Sequence, residues 1–492
     1  MKNLTTMLWL LVMLLAACTD KPHNATLSQE LPHIAPDYIG VTIPPGIAPL
    51  NFYCTDDDAE WMDVCVSGSK GEALHANGSY ADFDMGAWHE LTRQHAGDSI
   101  SVTVSIRHNN GQWTTYRPFA IYVSADSLGQ WGLTYRLIPP GYETYGNMGI
   151  YQRCLSNFEE TPILENKPIE RQCMNCHTTN ATNPDQLTLH LRGSHGATIV
   201  GKGGKTEILE GRNAQLGGGM VYPYWHPQGR FIAYSTNATH QRFHQRADRR
   251  VEVYDDKADI IIYDTDSHTI MADSLLTRQQ RLENFPAFSP DGQWLYFCSA
   301  ASTDSIWKNY RNVHYDICRV HFNADDGSTE GPIETVVAAS QAGRSAVMPR
   351  MSYDGRHLLF TLADYGCFPI WHPESDLWMK DMKSGEEWPL KEANSNDADS
   401  FHNWSLNSRW VVFTSRRDNG LYTQLYLAHV DADGKTAKAF RLPQKNPAEF
   451  DRECLFSYNT PDFASRRLRL NSQELYRRIL EEGRTGTTLK RR

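Results

Sequence analysis

Pro286-Ala-Phe-Ser-Pro-Asp-Gly-Gln-Trp-Leu-Tyr-Phe-Cys298 is the stretch that decides the fold, because it recurs. Related copies begin at Pro223 (Pro-Tyr-Trp-His-Pro-Gln-Gly-Arg-Phe-Ile-Ala-Tyr-Ser) and Pro349 (Pro-Arg-Met-Ser-Tyr-Asp-Gly-Arg-His-Leu-Leu-Phe-Thr). A more degenerate copy begins at Asn403 (Asn-Trp-Ser-Leu-Asn-Ser-Arg-Trp-Val-Val-Phe-Thr-Ser). Each joins an aromatic residue or Met to a turn of the Pro-Asp-Gly kind and then to an apolar strand. Asp-Gly or Gln-Gly supplies the positive φ that a tight strand reversal needs, and the strand behind it is apolar enough to be buried. A further strand with an Asp-rich turn follows each copy, at Asp259, Tyr315, Asp376 and Gln424, which predicts a four-stranded meander per repeat. A unit that recurs at such a period forces a stacked or radial arrangement.

These residues resemble the TolB-like family of β-propeller repeats, over positions 220 to 446. The resemblance implies blades, but such propellers serve both as binding platforms and as enzymes. Two weaker units lie upstream. Residues 117–168 supply Pro118-Phe-Ala-Ile-Tyr-Val, Gly132-Leu-Thr-Tyr-Arg-Leu and Gly149-Ile-Tyr-Gln-Arg-Cys. Residues 173–212 supply Leu187-Thr-Leu-His-Leu-Arg and Ala197-Thr-Ile-Val. The expected fold is therefore all-β, a TolB-like β-propeller of six blades over 113–446, with a haem-binding insertion in the second blade. A small β domain over 37–112 precedes it, marked by the alternating strand Ser99-Ile-Ser-Val-Thr-Val-Ser-Ile. Residues 447–492 read as a C-terminal extension with one short helix, which Leu475 and Ile479 could dock on a blade, and a basic tail.

Composition agrees with an all-β chain: 13 Trp, 23 Tyr, 34 Gly and 24 Pro in 492 residues give many aromatic strands and tight turns. The net charge of −10 argues against a nucleic-acid partner.

Cys173-Met174-Asn175-Cys176-His177 carries the chemistry. Two cysteines spaced C-x-x-C with a following histidine form the attachment pattern of a c-type haem, two thiols bonding one porphyrin edge and the imidazole ligating iron. This predicts one covalent haem c within 169–200, with His177 as the proximal ligand. His190 is the first candidate for the opposite axial position, His195 the second and Met220 the third. Arg192 could pair with a propionate through its guanidinium fork. A small disulfide loop or half a zinc site is the alternative reading of the cysteines. Gly201-Lys-Gly-Gly-Lys-Thr lacks the first glycine of a phosphate loop, and no G-x-S-x-G elbow is present.

Met1-Lys2 leads into an apolar run from Met7 to Leu15, too short to span a bilayer and ending at Leu15-Ala-Ala-Cys18. This resembles the lipobox of bacterial lipoprotein signal peptides. The resemblance implies removal of residues 1–17, acylation of Cys18, and a lipid-anchored protein of the cell envelope, on the periplasmic side or at the outer membrane, with residues 18–36 as a flexible tether. Besides Cys18, Cys173 and Cys176, seven cysteines remain, an odd number; Cys298/Cys318 and Cys54/Cys65 are the pairs to test as disulfides.

The favoured function is that of a membrane-anchored monohaem cytochrome, passing single electrons between an envelope redox protein or quinol-linked membrane complex and an exported acceptor. It predicts an electron carrier more than a catalyst. The alternatives are a cell-envelope binding or assembly propeller in which the haem is structural, and a haem oxidoreductase with an open iron site.

Overall fold

A computed structural model describes residues 21–139, 146–211, 216–245, 250–481 and 483–492. Cys18 and the expected signal segment lie outside them. Among the described residues no helix is long and apolar enough to cross a membrane.

Six antiparallel sheets form the six blades of a propeller. Blades two to six each run inner to outer in chain order, starting from Cys173–Asn180, Gly219–Trp225, Arg281–Phe288, Ser345–Met351 and Asp399–Trp404. Blade one is assembled differently. Gly132–Ile138, Gly149–Cys154 and Glu160–Glu165 are its three outer strands, and its innermost strand is Ser457–Ala464, from near the other end of the chain. That strand pairs antiparallel with Gly132–Ile138, Gly132 opposite Ala464 and Ile138 opposite Ser457, and closes the ring.

The recurring turns show why the repeat residues are what they are. In blade four the Ser289 hydroxyl donates to Asp291, the same carboxylate accepts the Gln293 N–H at 3.0 Å, and Ser289 Oγ accepts the Trp294 N–H at 3.0 Å. Gly292, at φ +75°, donates its own N–H back to the Ser289 carbonyl. Ser352, Asp354 and Gly355 repeat the arrangement in blade five. In blade six Asn407 stands where the Asp was, and Ser408 takes the left-handed conformation at φ +58°. The motif is thus a side-chain-locked turn joining the first two strands of a blade.

Phe119–Val123, expected to open the first blade, instead joins a separate seven-stranded sheet, pairing with Asp98–His108 and with Thr42–Ile43. The cause is its face pattern. Phe119, Ile121 and Val123 are buried while Tyr122 is 51% exposed, so the strand has one wet face, whereas Gly132 to Tyr135 are buried on both. The N-terminal sheet also takes up Trp113–Thr115, and Thr26–Leu27 from inside the expected tether. It packs on the ring through one core in which Val64, Val102 and Trp88 share contacts with Trp410, Leu427 and Phe463.

The C-terminal residues are structural as well. Helix Ser472–Leu480 buries Leu475 and Ile479 against Ile163, Leu187 and Leu191, as its sequence suggested. Arg477 pairs with Glu474 and Glu481 on the solvated face. Thr488–Arg491 then adds in parallel to Thr269–Ala272 as a fifth strand of blade three.

Phe463 is fully buried in the closing strand. Phe463→Ala should therefore cost about 3–5 kcal/mol of stability, as for large-to-small changes in a packed core. Equilibrium denaturant unfolding checks this, and a loss below about 1 kcal/mol would mean that the closing strand is not integral to the core.

Candidate functional site

The innermost strands of all six blades share one irregularity. Cys176, Tyr222, Phe285, Met348, Phe401 and Thr460 each sit at positive φ, between 44° and 58°, and at each the ladder to the second strand slips by a residue. These bulges turn the six side chains toward the propeller axis. The residues after them are His177, Pro223, Pro286, Pro349, His402 and Pro461. Cys173-Met-Asn-Cys-His177 is therefore the second blade's own copy of the inner strand, running Cys173–Asn180, and not an insertion into a blade. A two-residue turn, Ala181-Thr182, with both φ values positive, carries it into Asn183–Arg192. Placing Cys176-His177 beneath Tyr222-Pro223, Phe285-Pro286 and Phe401-His402 in the sequence would have given the same register.

A small axial cavity of about 50 Å³ lies between these bulges, lined by Cys176, His177, Tyr222, Phe285, His402 and Asp462 among others. It meets a second, of about 70 Å³, at the end carrying the Ser-Pro-Asp-Gly turns; Thr178, Asn403 and Asp462 line both. Asp462 is the polar centre. Its carboxylate accepts the Thr179 N–H at 3.0 Å, the Thr178 and Thr179 hydroxyls at 3.2 Å each, and Asn403 Nδ2 at 2.7 Å. Burial raises its pKa, against these donors and the nearby Arg350 charge. Arg350 lies over the Tyr224 ring at 5.0 Å and donates to the carbonyl of Pro349. His402 bonds the Met348 carbonyl at 2.8 Å, and burial lowers it to about 3.

The residues of the expected haem site are less convergent. Burial lowers His177 to about 4, so its imidazole is neutral. Its Nε2 is 3.1 Å from Thr134 Oγ1 of blade one, and its Nδ1 is buried without a partner. The Cys176 thiol lies on the other side, among Arg192, Cys173 and a backbone hydrogen bond from Tyr222 of blade three, and burial raises its pKa. His190 is buried with Nδ1 2.9 Å from Thr198 Oγ1, its ring packed where a Cβ on Gly219 would sit. His195 pairs with Glu170 at 3.4 Å, and Met220 lies in the core shared with Val200 and Trp225. Arg192 is the one expected partner found beside the thiols. Thiols and imidazole thus face opposite neighbouring blades, and the cavity they share is far below the roughly 300–1,000 Å³ of cofactor pockets. As folded here, these residues do not fit a porphyrin. Among the described residues no three His, Cys, Asp or Glu side chains are grouped as metal ligands.

The nine described cysteines are free thiols. Cys298 is opposite Ile317 and Cys318 opposite Phe297, so the two thiols point to opposite faces of their sheet and into different cores. Cys65 faces His75 across its own sheet while Cys54 pairs with Ile34 in another.

A second polar cluster was not legible in the sequence. The long hairpin of blade three, Phe231–Phe243 with Val251–Asp264, sets Glu252 and Asp255 under the loops of blades four and five. Glu252 accepts from Tyr365 at 2.6 Å and His372 at 3.1 Å. Asp255 accepts from Asn237 at 2.6 Å, Thr239 at 2.7 Å and Asn284 at 3.3 Å.

The fold and the axial residues define the class: a closed six-bladed β-propeller with a narrow polar channel. No protein-family model matches the chain, and no curated protein does. Among solved structures it is similar to TolB from Acinetobacter baumannii, at 12% identity and a TM-score of 0.43, covering 74% of this chain and 79% of that one. It is also similar to the periplasmic gluconolactonase PpgL of Pseudomonas aeruginosa, at 13% identity and a TM-score of 0.33, over 68% of this chain and 99% of that one. A prolyl oligopeptidase B from Galerina marginata matches at 10% identity and a TM-score of 0.34, over 62% of this chain and 44% of that one.

Burial raises the Asp255 carboxyl to about 6, against donors that favour its charged form. An Asp in the unfolded chain titrates near 3.9, so between these values the native state binds more protons. This group's contribution is complete below about pH 4 and is lost as pH rises through 6. The stability of the wild type relative to Asp255→Asn should fall by about 2 kcal/mol from pH 4.5 to pH 8. Paired denaturant titrations at the two pH values measure it, and a constant difference contradicts it.

Proposed function

We propose that this chain is an exported propeller of the cell envelope that binds a partner at the turn end of its axial channel. The observation that carries the reading is the convergence of Thr178, Asn403 and Asp462 on the axis, with Tyr224 and Tyr353 lining the cavity beside them. A closed ring holds these groups in fixed positions, so a partner docking over the channel mouth meets a preorganised polar set. The segment Met7 to Cys18 supplies the address and, through acylation of Cys18, the tether; the N-terminal sheet would act as the spacer between lipid and ring.

A second reading rests on Cys173-Met-Asn-Cys-His177, a covalent haem exchanging single electrons with an envelope redox protein or quinol-linked complex, or acting as an oxidoreductase. It requires the blade-two strand to open, so that His177 leaves Thr134 and both thiols reach one ring edge.

One experiment separates the two. A photo-crosslinking amino acid at Tyr353, at the channel mouth, should trap a partner in intact cells, whereas one at Thr335 on the outer strand of blade four should not. Equal yields from both positions would count against the channel mouth. Intact-mass analysis of the same protein, matured in cells able to ligate haem, should give polypeptide plus lipid; added porphyrin mass with a haem absorption band would favour the second reading.

A further inference from the structure

A larger cleft lies apart from the axis, on the loop-end flank of blade one. Its volume is about 540 Å³, within the roughly 300–1,000 Å³ of small-molecule sites. It is formed where the chain leaves blade six, turns through helix Pro447–Glu453 and enters the closing strand. Tyr151, Phe450, Phe456 and Tyr458 supply aromatic surface. Phe450 and Tyr458 lie 6.3 Å apart at 41°, so the two rings are tilted and do not stack on each other. Glu160, Glu449 and Glu453 line the same cleft with exposed carboxylates, against Lys445 as its cation.

Tyr458 supplies a separate observation. It is 95% buried, being 5% exposed, lines the cleft, and packs edge-on against Tyr135 at 5.0 Å. Its hydroxyl makes no side-chain hydrogen bond among the described residues, and burial, then the Glu160 charge, keep it protonated against the nearby Arg153 and Arg441 charges. Tyr135, its neighbour, does donate to Glu160, which holds that carboxylate at the cleft wall. Glu449 accepts from Asn446 at 3.1 Å and Glu453 pairs with Arg452 at 3.1 Å, while Glu160 is the cleft carboxylate whose charge acts on Tyr458.

We propose that this cleft is a binding site for an organic ammonium ion, an amine or quaternary ammonium carrying an apolar body, which no part of the channel reading requires. The aromatic faces attract the cation through their quadrupoles and cover its apolar part, while the carboxylates set its charge. Free amines and lysine side chains share this chemistry.

Calorimetric titration of the whole purified protein with choline, 1,5-diaminopentane and the tripeptide Gly-Lys-Gly tests the site. At least one should bind saturably, and 3,3-dimethylbutanol, the neutral shape-mimic of choline, should bind at least tenfold more weakly. Preference for the tripeptide identifies a lysine side chain as the source, and preference for choline or the diamine a free amine. The triple variant Glu160→Gln, Glu449→Gln, Glu453→Gln removes only exposed charges and should weaken binding at least tenfold; Tyr458→Phe should weaken it while leaving the fold unchanged by circular dichroism. The proposal is overturned if no probe binds, if the neutral mimic binds equally, or if the triple variant binds as the wild type does. Crosslinking at Tyr353 reads a different site, so its outcome and this one are independent.

Discussion

Ring closure by hydrogen bonding between the two ends of the chain is the constraint on which the rest of this molecule depends. Ser457–Ala464 must cross from the C-terminal side of blade six to the inner edge of a sheet whose other strands were made more than 290 residues earlier, Arg136 being opposite Asn459. Once there, it does three things at once. It gives Gly132–Ile138 a partner on its inner side, so that strand is not the edge of blade one. It drives Phe463 and Tyr458 into the core shared with the N-terminal sheet. And it brings Asp462 to the axis, where the carboxylate ties Thr178 and Thr179 of blade two to Asn403 of blade six. Blades that are neighbours in space but remote in sequence are thereby fixed through one buried group. The entropy of closing so long a loop grows only slowly with its length, which lets the last strand be the one that completes the first blade.

The six bulges follow from that geometry. A regular inner strand would present alternate residues to the two flanking blades and none squarely to the axis. One extra residue at positive φ redirects a single side chain per blade inward, and six of them fill a space too narrow for anything larger. Tyr222, Phe285 and Phe368 meet there, with ring centroids 4.4 to 5.6 Å apart, and Phe368 comes from the blade-five loop at the end away from the turns. Aromatic packing thus fills the axis at the loop end, while the polar residues collect toward the turn end.

Much of this was legible in the sequence, and what was hidden has a common cause. The blades over 220–446 announce themselves because Ser289, Asp291 and Gly292 and their counterparts form the turn by local bonds, and local chemistry leaves a local pattern. The six-blade count followed from two weaker upstream units, yet the members of blade one did not. Whether Phe119–Val123 or Ser457–Ala464 pairs with Gly132–Ile138 is a long-range choice, marked only by the exposed Tyr122 in an otherwise apolar strand. The Glu252 and Asp255 cluster was equally hidden, since its donors come from residues 237, 239, 284, 365 and 372.

The strand Cys173–Asn180 shows how a motif and its setting can disagree. The cysteine spacing alone implies one ligand geometry, but the bulge at Cys176 changes which way the side chains face. In an unbroken strand residues three apart face opposite ways; the bulge after Asn175 inserts one residue and returns Cys176 to the side of Cys173, while His177 is left to face blade one. The same device that places Tyr222, Phe285 and Met348 on the axis therefore joins the two thiols to Arg192 and separates them from the imidazole. The position of Cys176 is set by the ring, since five other blades adopt that backbone without cysteine, and only the choice of thiol and imidazole side chains is left for chemistry to explain.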